Sequence, residues 1–119
     1  MSFRVASKVA MKSPHHQHKL GAVIVKSGRV LSTGFNRLRP NSFLGVDTLH
    51  AEEAAILKLL QKQRLHDLSG AEIYVTRFTR GGAVGIAKPC HRCEDLIRSV
   101  GIKRIFYTDY SGTSEQKVE

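Results

Sequence analysis

Apolar residues recur along this chain in two patterns, one spaced every three or four positions and one nearly continuous, and their alternation predicts the order of elements. Phe3, Ala6, Val9 and Ala10 follow Ser2 at helical spacing while Arg4, Lys8 and Lys12 form a separate stripe, so an amphipathic helix is expected to end before Pro14. Leu20 to Val25 and Val30 to Phe35 are apolar segments joined by a short link containing Ser27-Gly28, the signal of an antiparallel hairpin. Arg37 to Val46 contains Pro40 and further loop formers and reads as a connection. Thr48 is a candidate N-cap for a helix running to about Arg64, in which Leu49, Glu53, Ile56, Leu57 and Leu60 share helical spacing and Ala51, Ala54 and Ala55 permit close packing. Ala71 to Thr76 reads as a strand, Cys90 to Val100 as a helix closed by Gly101, and Lys103 to Thr108 as another strand, together a parallel crossover.

A hairpin followed by alternating helices and strands implies a three-layer α/β fold in which helices cover a mixed sheet. Neither repeats nor Pro-rich linkers divide the chain, so residues 1–110 are expected to form a single domain and 111–119 a frayed, flexible tail. The 119 residues are 41% hydrophobic, enough for a core without disulfides. No apolar run approaches the roughly 20 residues that cross a bilayer, and no signal-peptide pattern is present. A soluble, cytoplasmic protein without membrane partners is the expectation.

Charge and cysteine usage narrow the chemistry. Nineteen Lys and Arg against ten Asp and Glu give a net +9. Such a field suits a phosphate-bearing partner, or merely a basic solubilising surface. His15, His16 and His18 fall in a polar stretch and read as solvated loop. The two cysteines both lie in one C-x-x-C, where a bridge would close only a short loop, so they read as metal ligands or redox thiols.

His50-Ala51-Glu52 and Pro89-Cys90-His91-Arg92-Cys93 each stand at an expected helix start. Cys90 and Cys93 project from one side of a first turn, where the helix dipole favours thiolates. Adding His50 gives three protein ligands and leaves a fourth tetrahedral position open, the arrangement of a catalytic zinc ion. Zinc lowers the pKa of bound water to about 7. Glu52 is then the candidate proton shuttle between water, ring nitrogen and departing amine. Each motif alone has a plainer reading: a helix cap with a surface charge, a thioredoxin-like dithiol, or a closed structural zinc site with His91 as fourth ligand.

Taken jointly, H-x-E followed by P-C-x-x-C is the signature of the zinc deaminases. The chain resembles the cytidine and deoxycytidylate deaminase superfamily, which also includes tRNA adenosine deaminases and polynucleotide cytosine deaminases. The resemblance covers about residues 3 to 110, through Leu20-Gly21-Ala22-Val23, Gly34-Phe35-Asn36, His50-Ala51-Glu52, Tyr74-Val75-Thr76 and Pro89-Cys90-x-x-Cys93 in family order. It is closest to small deoxycytidylate deaminase-like proteins, in compactness and in Tyr107-Thr108 after Gly101-Ile102-Lys103-Arg104. The resemblance implies a central five-stranded sheet, one catalytic Zn2+, Asn36 bonding the substrate sugar or base, peptide groups around Ala51 and Cys90, with Pro89, holding the base edge, and a homo-oligomer of at least two chains.

The chain departs from the family pattern between Thr76 and Pro89. Many relatives cross there in two or three residues, whereas Arg77 to Lys88 intervenes with Gly81, Gly82 and Gly85. This insert is expected to form a hairpin-like flap beside the metal pocket. Arg77, Phe78 and Arg80 would bring a stacking ring and cations to substrate, or Phe78 would close the core. Arg37, Arg39, Lys88 and Arg92 add cations near the same mouth. Ala54 stands where deoxycytidylate deaminases usually have Asn. The leading expectation is hydrolytic conversion of cytosine to uracil in a nucleotide such as dCMP or in single-stranded nucleic acid. The alternatives are a tRNA-type or DNA adenosine deaminase, and a noncatalytic zinc-stabilised nucleic-acid-binding module.

Overall fold

Gly21 to Val25, the most continuous apolar run, is buried along its whole length because the strand that carries it is covered on both faces. The computed structural model describes residues 2–14, 18–41, 45–62, 68–79, 83–109 and 112–118. Its elements are α1 (Ser2–Ala10), β1 (His18–Lys26), β2 (Arg29–Phe35), β3 (Arg37–Asn41), β4 (Gly45–Leu49), α2 (Ala51–Gln61), β5 (Glu72–Thr79), α3 (His91–Ser99), β6 (Arg104–Asp109) and β7 (Gly112–Lys117). A mixed five-stranded sheet runs β2-β1-β5-β6-β7, with β5 and β6 the parallel pair. α1 packs on β1 and β5 from one side, over Val23, Val25 and Tyr74. On the other side Ile56 and Leu59 of α2 and Ile97 of α3 meet Ile24, Ile73, Val75 and Ile105 of the sheet. No helix among the described residues is long and apolar enough to cross a membrane.

The expected hairpin forms, with Ser27 at φ 53° and Gly28 at φ 78°. Two successive positive φ values make the tight turn whose twist matches the strands it joins. The crossover is parallel as expected, with Glu72 opposite Arg104 and Val75 opposite Tyr107. Gly34 sets the depth of α2. A Cβ there would lie 2.5 Å from Ala51 O and from Ala55 N, so only a glycine lets the start of α2 rest directly on β2. The small, buried Ala51, Ala54 and Ala55 complete that contact.

Four sequence expectations are corrected. Arg37 to Val46 is not a loop; β3 and β4 pair as a separate two-stranded ribbon, Arg37 opposite Leu49 and Pro40 opposite Val46. A ribbon has two free edges, and proline is tolerated on one of them. Thr48 therefore lies in β4, and α2 starts later, at Ala51. α2 ends at Gln61, while Arg64 lies outside the described residues. Lastly, residues 112–117 are not frayed: β7 pairs antiparallel with β6, Tyr107 opposite Ser114 and Arg104 opposite Lys117. An edge strand needs only main-chain pairing and is guarded by charge, so its polar sequence showed no apolar alternation.

Candidate active site

Two helix starts face each other, and one carboxylate ties them together. His50 is the N-cap of α2 and Cys90 the N-cap of α3, both extended (φ −73°, ψ 153° and φ −71°, ψ 168°). Each N-cap carbonyl accepts the first helical bond, from Ala54 N at 2.9 Å and Glu94 N at 2.8 Å. Glu53 Oε1 accepts from His50 N at 3.0 Å and from Arg92 Nη2 at 3.0 Å. That bridge links the two starts and pairs Arg92, which the sequence had placed among the cations near the mouth.

Three donor atoms gather in one cluster between these helix starts. His50 Nδ1 lies 3.2 Å from Cys93 Sγ and 3.7 Å from Cys90 Sγ. All three ligand atoms fall within 4.8 Å of one another. Zinc binds sulfur at about 2.3 Å and imidazole nitrogen at about 2.0–2.1 Å, which in a tetrahedral site sets nitrogen and sulfur about 3.6 Å apart. The two observed separations bracket that value, so the donor set fits the ion. Among the described residues His91 stands outside this cluster and is exposed, against its candidacy as a fourth ligand.

The chemistry of the donors points the same way. Cys93 is completely buried, and burial pushes its thiol well up, aided by the Glu52 carboxylate and by Cys90. The helix dipole that favours a thiolate is thus outweighed by burial. A divalent cation among the three donors reverses that balance, since thiolates are the form that binds metal.

Glu52 lies on the first turn of α2 and is only 3% exposed. Burial pushes its carboxyl up from 4.5 to about 7, Glu53 adds to this, and a hydrogen bond to its own backbone and one from Cys93 oppose it. In the metal-free protein the folded chain therefore holds a proton that the unfolded chain has released. The stability this group contributes is present below about pH 4.5 and is lost as pH rises through about 7. Urea unfolding of chelator-treated protein is expected to show Glu52→Gln more stable than wild type by on the order of 2–3 kcal/mol near pH 8, with little difference near pH 4. A difference that does not change with pH would show that burial does not set this equilibrium.

Above the cluster is a pocket of about 290 Å³, floored by His50, Ala51, Glu52 and Cys90. His18, Leu20, Asn36, Arg77, Ile86 and Lys88 complete its lining, with Arg77 Nη2 2.7 Å from His18 Nδ1. Asn36 is buried, and its side chain acts as a staple: Oδ1 accepts from Leu20 N at 2.9 Å and Nδ2 donates to His18 O at 2.8 Å. The insert is shorter than expected: residues 77–79 continue β5 in pairing with β1, and residues 80–82 lie outside the described residues. Thr79 N donates to Ala83 O at 2.8 Å, Gly85 N to Arg77 O at 2.9 Å, and Ala87 N to Thr108 O at 2.8 Å, laying residues 83–87 across the ends of β5 and β6.

Arg77 and Lys88 line the pocket, and Phe78 does not. Side chains alternate along a strand, so Phe78 shares the face of Tyr74 while Arg77 shares that of Ile73 and Val75. Pro89 is buried before Cys90 without lining the pocket. Arg37 lies over the Phe35 ring, 5.3 Å from its centroid. Arg80, His15, His16 and the side chain of Arg39 lie outside the described residues. Sequence reasoning missed His18, Leu20 and Ile86 as pocket residues. For His18 a signal existed: it continues the alternation of Leu20, Ala22 and Ile24, one inward face of β1.

Comparison with known proteins agrees with this geometry. Residues 1–109 match the family model for the cytidine and deoxycytidylate deaminase zinc-binding region. A deoxycytidylate deaminase of Mycobacterium phage D29 is 31% identical over 127 residues, covering 87% of this chain and 88% of that one. A cytidine deaminase from Burkholderia pseudomallei superposes with a TM-score of 0.72 at 21% identity, over 98% of this chain and 90% of that one. A dCMP deaminase from cyanophage S-TIM5, solved in complex with dCMP and dUMP, superposes with a TM-score of 0.64 at 24% identity, over 88% of this chain and 76% of that one.

Proposed function

The chain belongs to the cytidine and deoxycytidylate deaminase family, and on that premise we propose that it hydrolyses the exocyclic amine of cytosine, water entering and ammonia leaving to give uracil. The observation that carries this reading is a buried carboxylate, Glu52, on the floor of the same pocket as the His50, Cys90 and Cys93 donors. His50 Nδ1, Cys90 Sγ and Cys93 Sγ would hold zinc, which would supply Lewis acidity to water near neutral pH.

The residues of the chain do the rest. Glu52 takes a proton from water on a carboxylate oxygen and returns protons to the ring nitrogen and the departing amine; burial, which raises its affinity for a proton, suits it to both transfers. Asn36 Nδ2 spends one hydrogen on His18 O and offers its second to the substrate. The Ala51 peptide borders the base edge. The pocket volume lies near the lower end of small-molecule sites, about 300–1,000 Å³, which favours one nucleotide unit.

The test is incubation of zinc-loaded protein with dCMP, deoxycytidine, a cytosine-containing single strand and an adenosine-containing RNA hairpin, with ammonia and base products quantified. A uracil product with equimolar ammonia is expected. Turnover of the adenosine hairpin alone would overturn the choice of base.

A further inference from the structure

The two helix starts that carry the donor atoms are joined by a charged contact whose position matters more than its strength. Among the described residues, Arg92 Nη2 and Glu53 Oε1, 3.0 Å apart, form the ion pair between α2 and α3. The other described pairs lie within α3, where Arg98 meets Glu94 and Asp95, or on the sheet, where Arg104 meets Glu72 and Glu115. The Arg92 side chain is 56% exposed and that of Glu53 15%. A pair so open to water adds little to the stability of a fold. Its value lies in what each partner is attached to.

On one side, Glu53 Oε1 also accepts from His50 N at 3.0 Å. That bond holds the backbone of His50 extended, at φ −73° and ψ 153°, one residue before α2 begins, and so limits the directions in which the imidazole can point. On the other side, Arg92 stands between Cys90, the N-cap of α3, and Cys93 on its first turn. That turn is closed by Glu94 N donating to Cys90 O at 2.8 Å, so a hold on Arg92 is a hold on both cysteines. One oxygen atom thus ties the main chain of His50 to the segment of Cys90 and Cys93. Neither partner is itself a ligand: Glu53 stands outside the donor cluster, and a guanidinium has no lone pair to give.

We propose that Glu53 and Arg92 are positioning residues for the metal donors, their bond setting the separation of His50 Nδ1 from the two sulfurs before an ion arrives. This rests on the reading of the site as a zinc centre and goes beyond it by assigning the residues that preorganise it. Metal ligands are oriented by outer partners, and loss of such a partner weakens metal affinity or activity by about 10–100-fold. The signature of the role is selectivity. Without the pair the metal-free fold loses little, because the pair is exposed, whereas metal binding loses more, because the ordering of unheld donors opposes it.

Metal-free wild type, Arg92→Ala, Arg92→Lys, Glu53→Ala and the double variant Arg92→Ala with Glu53→Ala are titrated with zinc against a competing chelator. Visible spectra of their cobalt(II) forms are recorded, and thermal midpoints are measured with and without metal. Arg92→Ala is expected to weaken zinc binding by about tenfold, and Glu53→Ala by about 10–100-fold because it also frees His50 N. The double variant should bind no more weakly than Glu53→Ala, as two residues acting through one bond require. Arg92→Lys should recover part of the loss. The cobalt bands of tetrahedral thiolate coordination should shift in Arg92→Ala, while its metal-free midpoint stays at the wild-type value. An unchanged zinc affinity and cobalt spectrum in Arg92→Ala, losses that add in the double variant, or a fall in metal-free midpoint that accounts for the whole loss overturns the proposal. A wild type that takes up no metal overturns it together with the metal site. A metal-bound wild type that turns over no cytosine compound, with the variants as expected, removes the deaminase reading alone.

Discussion

Glu52→Gln is expected to lower kcat with a cytosine substrate by about 10²–10⁴-fold while leaving the zinc content of the purified protein at the wild-type level. Glutamine keeps the shape of a side chain that is only 3% exposed, and Glu52 stands outside the three-atom donor cluster, so neither packing nor metal binding accounts for the loss. What disappears is a carboxylate that can accept a proton at one step and release it at the next. The effect should fall near the upper end of that range, because the same group serves successive transfers. Steady-state kinetics with metal analysis on the same sample make the measurement. Turnover within about tenfold of wild type would remove Glu52 from the proton path, since a positioned acid or base contributes about 100-fold or more.

The parts of this site that were legible in the sequence are those whose chemistry is local. His50 with Glu52, and Cys90 with Cys93, lie within single helical turns, so spacing alone places them together. The bond from Arg92 to Glu53, which joins the two starts, is a tertiary contact without a sequence pattern. The strands that bury side chains, β1, β2, β5 and β6, were visible as apolar runs. β3, β4 and β7 were not, because a two-stranded ribbon and an edge strand are held by main-chain pairing and need no continuous apolar run. His18 was read as loop because it falls in a polar stretch, and of the two readings open for Phe78 the strand pattern favours the one away from the pocket. Period-two alternation sends Phe78 away from Arg77 and turns His18 into the pocket.

Cys93→Ser is expected to abolish both zinc retention through dialysis and turnover, which separates it from Glu52→Gln, where only turnover is lost. Structural zinc sites bind with apparent free energies of about 10–16 kcal/mol shared among their ligands, so one sulfur lost should weaken affinity by at least about 100-fold. Serine is nearly isosteric with cysteine, but its hydroxyl is a poor ligand for zinc and is fully enclosed at this position. The loss should therefore appear in metal content before it appears in far-ultraviolet circular dichroism. Because the cluster joins the starts of α2 and α3, added zinc should raise the thermal midpoint of wild type and leave that of Cys93→Ser unmoved. His91→Ala, which changes an exposed neighbour outside the cluster, should behave as wild type in both metal content and midpoint shift. Zinc retained by Cys93→Ser but lost by His91→Ala would move the third ligand from Cys93 to His91 and with it the open face of the site.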